Sequence, residues 1–445
     1  METQRFRLDG HTLTEMTLEV PLDYNGELAG TALADEQIAI FVREYVRDGQ
    51  EKAPRLVFFQ GGPGSPAPRP APIGGWLSWA LDHYRVVLLD ERGTGLSTAL
   101  DSATVTDVGD AALQARYLAC FRADSMVYDA ERLRRTLQDE PWHALGQSFG
   151  GFVNTSYLSL APEGLASVMI TAGLPSMNRH ADDVYRLTWE ATEKRHREYF
   201  ARYAGDEARA WDIAEHLQDT EEVLPTGERL TPARFRMLGI ALGMSYGPDQ
   251  LHLLLEDPFV RVGGKRRLRS RFLVGVGFAL SYGASPMYGV LHETIYAQAS
   301  SGATNWSAHR IRDEFAQFEL PASETEARAS GAPFRFSGEH VFPWQMREDP
   351  ALAPMVEAAE ILAARGDFPE LHRPEVTAEN TVPASAWIYW DDMFVPASIS
   401  LETAEAIRGL TYSLTNDYHH DGLRTDGPKL LERMHDQNRE AARRA

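Results

Sequence analysis

The sequence predicts an α/β fold, a mostly parallel doubly wound sheet with an inserted helical cap domain, and three observations carry that expectation. Short, continuously apolar runs alternate with helical patterns between residues 55 and 171, as parallel strands buried on both faces require. A serine stands between glycines at a strand-to-helix junction, Gly146-Gln147-Ser148-Phe149-Gly150. From about His180 to Arg373 the pattern turns helical, and strands return at Ala384. The chain therefore divides into the N-terminal part of a sheet domain at 1–179, a helical cap at 180–373 and the C-terminal part of the sheet domain at 374–445.

Polar and apolar residues alternate at 5–8, 12–20 and 37–46, separated by Pro21, Asn25-Gly26 and Gly30, and these stretches read as antiparallel strands that open the sheet. Residues 55–59, Arg-Leu-Val-Phe-Phe, form a buried strand ending in Gln60-Gly61-Gly62-Pro63-Gly64-Ser65-Pro66, where the backbone can approach a ligand closely. Residues 76–81 look helical and 84–89 form the next buried strand. Asp90-Glu91-Arg92-Gly93-Thr94-Gly95-Leu96-Ser97 follows and reads as a loop cross-braced by its own ion pairs. A charged helix at 129–138, a strand at 142–145, an apolar helix at 152–160 and a strand at 167–171 continue the alternation.

Helical patterns at 185–203, 232–244, 272–280 and 307–318 fill the cap, whose position implies that it covers the serine and selects substrates. A basic run at 261–271, with Lys265, Arg266, Arg267 and Arg269, reads as a solvated helix start. The sheet resumes at 384–390 and ends in Asp391-Asp392-Met393-Phe394-Val395-Pro396. A helix at 400–407, a strand at 410–415, the loop Asn416-Asp417-Tyr418-His419-His420-Asp421-Gly422 and an amphipathic helix at 427–444 close the chain.

Composition bounds the function. A net charge of -20 argues against nucleic acid and anionic membranes as partners. A single cysteine, Cys120, in an apolar stretch excludes an intramolecular disulfide and reads as a buried structural thiol. No run of 18 apolar residues occurs, and Met1-Glu2-Thr3-Gln4-Arg5 lacks the apolar segment of a signal peptide, so a cytoplasmic protein is expected. Neither H-E-x-x-H nor a Cys/His cluster supports a metal, and no cofactor motif is present.

A serine at a sharp strand-to-helix turn projects its hydroxyl clear of the sheet edge, and the first helical amides point at the same spot. Ser148, an acid after a late strand and a histidine after the final strand then follow the α/β-hydrolase order, in which carboxylate orients imidazole and imidazole takes the serine proton. Asp392 is preferred over Asp391 because it lies four residues before Pro396, which starts the next helix. His420, followed by Asp421-Gly422, is preferred over His419. Amides of Phe149 and Gly62 are the expected oxyanion donors. Serine at the elbow argues against a carboxylate nucleophile.

Gly61-Gly62-Pro63-Gly64, Asp90-x-Arg92-Gly93-x-Gly95-x-Ser97 and Gly146-Gln147-Ser148-Phe149-Gly150-Gly151 together resemble the prolyl aminopeptidase (proline iminopeptidase) family of serine peptidases. Leu291-His292-Glu293-x-Ile295-Tyr296, Gly338-Glu339-x-x-x-Pro343-Trp344, Tyr389-x-Asp391-Asp392-Met393 and His420-Asp421-Gly422-Leu423-Arg424 resemble its longer bacterial branch. Gln60 stands where many relatives have histidine, and Glu91 where glutamine is usual. The resemblance implies release of N-terminal proline from short peptides. That chemistry asks for an anionic site for the free ammonium, with Glu293 and Glu339 as candidates. It also asks for an apolar slot for the pyrrolidine ring, with Tyr296, Trp306, Phe342 and Trp344 as candidate walls. The competing expectations are a carboxylesterase or amidase of the same fold acting on a neutral small molecule, and a non-catalytic binding protein.

Overall fold

The computed structural model describes residues 2–70, 72–137 and 140–444. Nine strands form one sheet in the order β1-β2-β3-β5-β4-β6-β7-β10-β11. They are β1 (Glu2–Leu8), β2 (His11–Pro21), β3 (Gln37–Arg47), β4 (Arg55–Phe59), β5 (Arg85–Leu89), β6 (Trp142–Gln147), β7 (Leu165–Thr171), β10 (Ala384–Tyr389) and β11 (Leu410–Thr415). β1, β2, β3 and β5 pair antiparallel in succession, and every pair from β5 through β4, β6, β7 and β10 to β11 is parallel.

The continuous apolar runs have a direct cause. Val57, Phe59, Val87 and Leu89 face one core, while Leu56, Phe58, Val86 and Leu88 face the other. Helices cover both sides, so every position on these strands after the leading Arg55 and Arg85 is buried, and each fully buried apolar side chain contributes about 1.5–3 kcal/mol. The last helix, Gly422–Arg444, bends at Asp426, two residues before Pro428, whose ring cannot continue a helix. It lies over the sheet, where Asn438 Nδ2 donates to Val168 O at 3.0 Å and Ser385 Oγ to Met434 O at 3.2 Å. The expected helix at 129–138 begins earlier, at Ala123, and its expected last residue, Gln138, lies outside the described residues.

Between β7 and β10 the chain leaves the sheet. The helix Ala181–Arg202 opens this segment, its first turn carrying Asp182 and Asp183, which complement the helix dipole. Three expectations for this region are corrected. The basic run is an antiparallel hairpin, β8 (Phe259–Val262) with β9 (Lys265–Leu268), turning at Gly263-Gly264; only then does the helix Ser270–Leu280 begin. The helical stretches at 232–244 and 307–318 each split, the first into Pro232–Arg236 and a tighter 3-10 segment, Met237–Gly243, the second into Ser307–Arg312 and a 3-10 turn, Ala316–Phe318.

The acidic-basic loop after β5 is also braced differently from expectation. Arg92, fully buried, makes a bidentate pair with Asp129 at 2.7 and 2.6 Å, and donates to the carbonyls of Pro21, Leu22 and Cys120. Asp90 pairs with Arg69 and accepts from the amides of Ala67 and Leu96. The charges of the loop reach outward to other elements because buried charges need fixed partners that a tight turn cannot supply itself.

Candidate active site

Ser148 occupies a strained backbone position at the end of β6, with φ 57° and ψ -125°. For a residue with a β-carbon this costs on the order of 1–3 kcal/mol, and the surroundings hold it there. The amide of Ser148 donates to Thr171 O at 3.0 Å, on the neighbouring strand β7. A β-carbon at Gly146 would stand 2.2 Å from Gly150 O, and one at Gly150 would stand 2.0 Å from Phe59 O. Glycine on both sides of the serine is therefore a packing requirement of the turn. The helix Phe149–Leu160 starts immediately after.

His420 Nε2 lies 2.7 Å from Ser148 Oγ, and His420 Nδ1 lies 2.8 Å from Asp392 Oδ2. The other carboxylate oxygen, Asp392 Oδ1, accepts the amides of Phe394 and Val395 at 2.8 and 3.0 Å, which fixes the carboxylate in the turn after β10. Burial disfavours the imidazolium, but Asp392, with Glu339 and Asp421 adding to it, more than offsets the burial, so the His420 pKa is held above the ordinary 6.5. Of the two adjacent alternatives, Asp391 pairs with Lys194 of the opening cap helix, and His419, lowered by burial, has a buried Nδ1 without a partner.

The loop after β4 runs beside the serine: a β-carbon on Gly61 would stand 3.0 Å from Ser148 Cβ. The geometry thus brings Gly61 against Ser148, one residue before the expected Gly62. Among the hydrogen bonds of the described residues, the amides of Gly61, Gly62 and Phe149 have no protein acceptor. Two departures from the family pattern meet here, because Gln60 donates its amide to Glu91 Oε1 at 3.0 Å. Burial pushes the Glu91 carboxyl well above the usual carboxylate range, against the pull of the Gln60 amide.

A cavity of about 160 Å3 opens nearby, lined by Ser65, Ile240, Tyr282, Ser285, Tyr288 and Glu339 among others. Tyr288 donates its hydroxyl to Glu339 Oε1 at 2.6 Å, and burial pushes the Glu339 pKa up to about 7. His420 and Glu339 each shift the other's titration, which makes them electrostatic neighbours. Glu293 is likewise raised to about 7 by burial; Oε1 accepts the Ala308 amide at 2.9 Å, while Oε2 is buried without a partner.

The expected ring-slot walls part company. Tyr296 meets Phe152 of the elbow helix and Tyr185, with ring centroids 5.8 Å apart in each case. The other three make contacts within the cap. Trp306 donates Nε1 to Glu360 at 2.7 Å, bracing the helix Val356–Ala364. Phe342 stacks between Trp189 and Trp344 in a cluster internal to the cap. Aromatic rings prefer to bury their faces on one another, and these have done so. Sequence reasoning missed Tyr185, whose buried hydroxyl is unpartnered, and Tyr288. The nearness of Tyr288 to the motif at Leu291-His292-Glu293 was the available signal for the second.

A serine on a strained elbow, bonded to an imidazole that is oriented by a buried carboxylate, defines a serine hydrolase on an α/β-hydrolase fold. Residues 54–249 match the alpha/beta hydrolase fold family. The chain is 39% identical over 436 residues to a proline iminopeptidase of Aeromonas sobria, covering 97% of this chain and 98% of that one. It is 30% identical over 451 residues to the proline iminopeptidase aneH of Aspergillus aculeatus, covering 96% and 94%. The chain belongs to the proline iminopeptidase family.

Proposed function

We propose that this protein is a serine aminopeptidase that releases N-terminal proline from peptides through an acyl-enzyme. The observation that carries the reading is the pairing of an aligned serine, histidine and aspartate with a half-buried glutamate, Glu339, in the neighbouring cavity. Ser148 Oγ attacks the prolyl carbonyl carbon as its proton passes to His420 Nε2, and Asp392 steadies the imidazolium. Amides of Phe149 and of the Gly61-Gly62 loop receive the oxyanion. The C–N bond breaks as His420 returns the proton to the departing amine; water, activated by the same imidazole, then cleaves the ester and frees proline.

Glu339 is the favoured partner of the prolyl ammonium. An arriving cation lowers the carboxyl pKa from about 7 and leaves it charged when substrate is bound. Glu293, with one oxygen committed to the Ala308 amide, is the second candidate for the ammonium. Tyr296 is the favoured wall for the ring. We place the reaction in the cytoplasm, where the lone buried thiol Cys120 needs no disulfide.

The test compares proline arylamide with its N-acetyl derivative. Turnover of the free amine alone supports the reading, and equal turnover of both converts the protein to a carboxylesterase or amidase. Ser148→Ala must abolish turnover without loss of fold; a variant that keeps substantial activity removes Ser148 from the role of nucleophile.

A further inference from the structure

The loops on both sides of Ser148 are held from above by the cap. On one side Ser285 Oγ donates to Gly64 O at 2.8 Å, and a β-carbon at Gly64 would press on Ser285, Met287 and Tyr288. On the other side the hold is closer to the chemistry. The amide of His420 itself donates to Gly243 O at 3.1 Å. The next residue, Asp421, is buried, and its Oδ1 accepts both the amide and the hydroxyl of Ser245, at 3.1 and 2.5 Å. Among the described residues, these two groups of Ser245 are the hydrogen-bond donors to the Asp421 carboxylate.

A third contact closes the set. The Phe394 ring, two residues beyond Asp392, stands edge-on to the His420 imidazole with centroids 4.8 Å apart. A β-carbon on Gly243 would lie 2.2 Å from that ring, so only glycine leaves it in place. Arg195 in turn donates to Leu242 O at 3.0 Å, tying the segment 242–245 to the opening cap helix.

We propose that Ser245 and Gly243 are positioning residues for His420, so that the cap segment 242–245 belongs to the apparatus that aligns the imidazole on Ser148. This rests on the reading of Ser148 and His420 as nucleophile and base. Without the Ser245 hydroxyl, a buried carboxylate beside the base has lost a charge-assisted donor and its loop relaxes. A displacement of about 1 Å at a reacting group is enough to cost on the order of 100-fold.

The experiment uses the full chain and two readouts: steady-state hydrolysis of proline arylamide and the rate at which a fluorophosphonate labels the serine. Ser245→Ala is expected to lower kcat about tenfold with KM little changed, and to slow labelling by the same factor, in a protein that still unfolds cooperatively and melts only a few degrees lower. Ser245→Thr, which keeps the hydroxyl, returns most of the lost rate. Gly243→Ala is expected to be more damaging, since its methyl must displace Phe394; should it fail to fold, the Ser245 pair still decides. The proposal is overturned if Ser245→Ala leaves labelling and kcat within about twofold of the parent, or raises KM at an unchanged labelling rate. Labelling needs only an activated serine. Slowed labelling in a protein that does not turn over proline arylamide therefore supports this inference while overturning the substrate reading.

Discussion

Tyr288 donates its hydroxyl to Glu339 at 2.6 Å, so a carboxylate whose charge bears on the reactive histidine is held by a tyrosine from the cap. Burial raises the Glu339 pKa and this hydrogen bond opposes the rise. Tyr288→Phe therefore leaves more of Glu339 neutral at pH 7 and weakens its attraction for an ammonium. The expected result is a KM for proline arylamide about 3–10-fold higher, with kcat within about twofold. Glu339→Gln is expected to raise KM about 10–100-fold. Steady-state kinetics check both, and an unchanged KM in Glu339→Gln removes this residue from amine recognition.

The imidazole must be neutral to take the serine proton. Because the His420 pKa stands above 6.5, labelling by a fluorophosphonate is expected to fall as pH drops through a value above 6.5. Asp392→Asn removes the carboxylate but not the burial, so the same limb moves to lower pH while kcat drops about 10^4-fold, the size of the loss when a triad aspartate is replaced by asparagine. A limb that stays in place disconnects Asp392 from His420.

Glu293 leaves a signature in stability. Its pKa is about 7 in the folded protein against an ordinary 4.5, so the folded state binds more protons between those values. Its stabilising contribution is fully present below pH 4.5 and is lost as pH rises through 7. Glu293→Gln titrates in neither state, so its stability relative to the parent is expected to improve by about 3 kcal/mol between pH 4.5 and pH 8. Urea unfolding at the two pH values measures the difference, and a constant gap contradicts the raised pKa.

Arg92 and Asp129 are both buried and bonded through two hydrogen bonds. Asp129→Ala strands a guanidinium in the core and is expected to cost about 3–5 kcal/mol. Replacing both, as Arg92→Met with Asp129→Leu, is expected to recover part of that loss. Thermal unfolding of the single and double variants checks the order, and a single variant as stable as the parent rules out the pair as a brace.

Much of the sheet was legible because its signals are local. The buried strands β4 and β5 announce themselves as apolar runs, and the elbow as glycines flanking a serine, since each pattern follows from burial and sterics within a few residues. The cap was less legible. Its basic hairpin reads as a helix start when charge is weighed above the alternation of Phe259-Val260-Arg261-Val262. Its aromatics give no sign of which rings face a cavity, because what separates Trp306, Phe342 and Tyr296 is the set of neighbours each meets, and those lie elsewhere in the chain.

By itself the sequence determined the order of nucleophile, acid and histidine, the parallel core beneath them and the helical insertion between them, all of which are written in local pattern and chain order. Only the tertiary structure decided that Asp391 pairs with Lys194 while Asp392 meets His420, that Tyr288 governs Glu339, and that Ser245 reaches Asp421. Those relations join residues far apart in the chain, and their energies depend on distance and burial, which no run of neighbouring residues encodes.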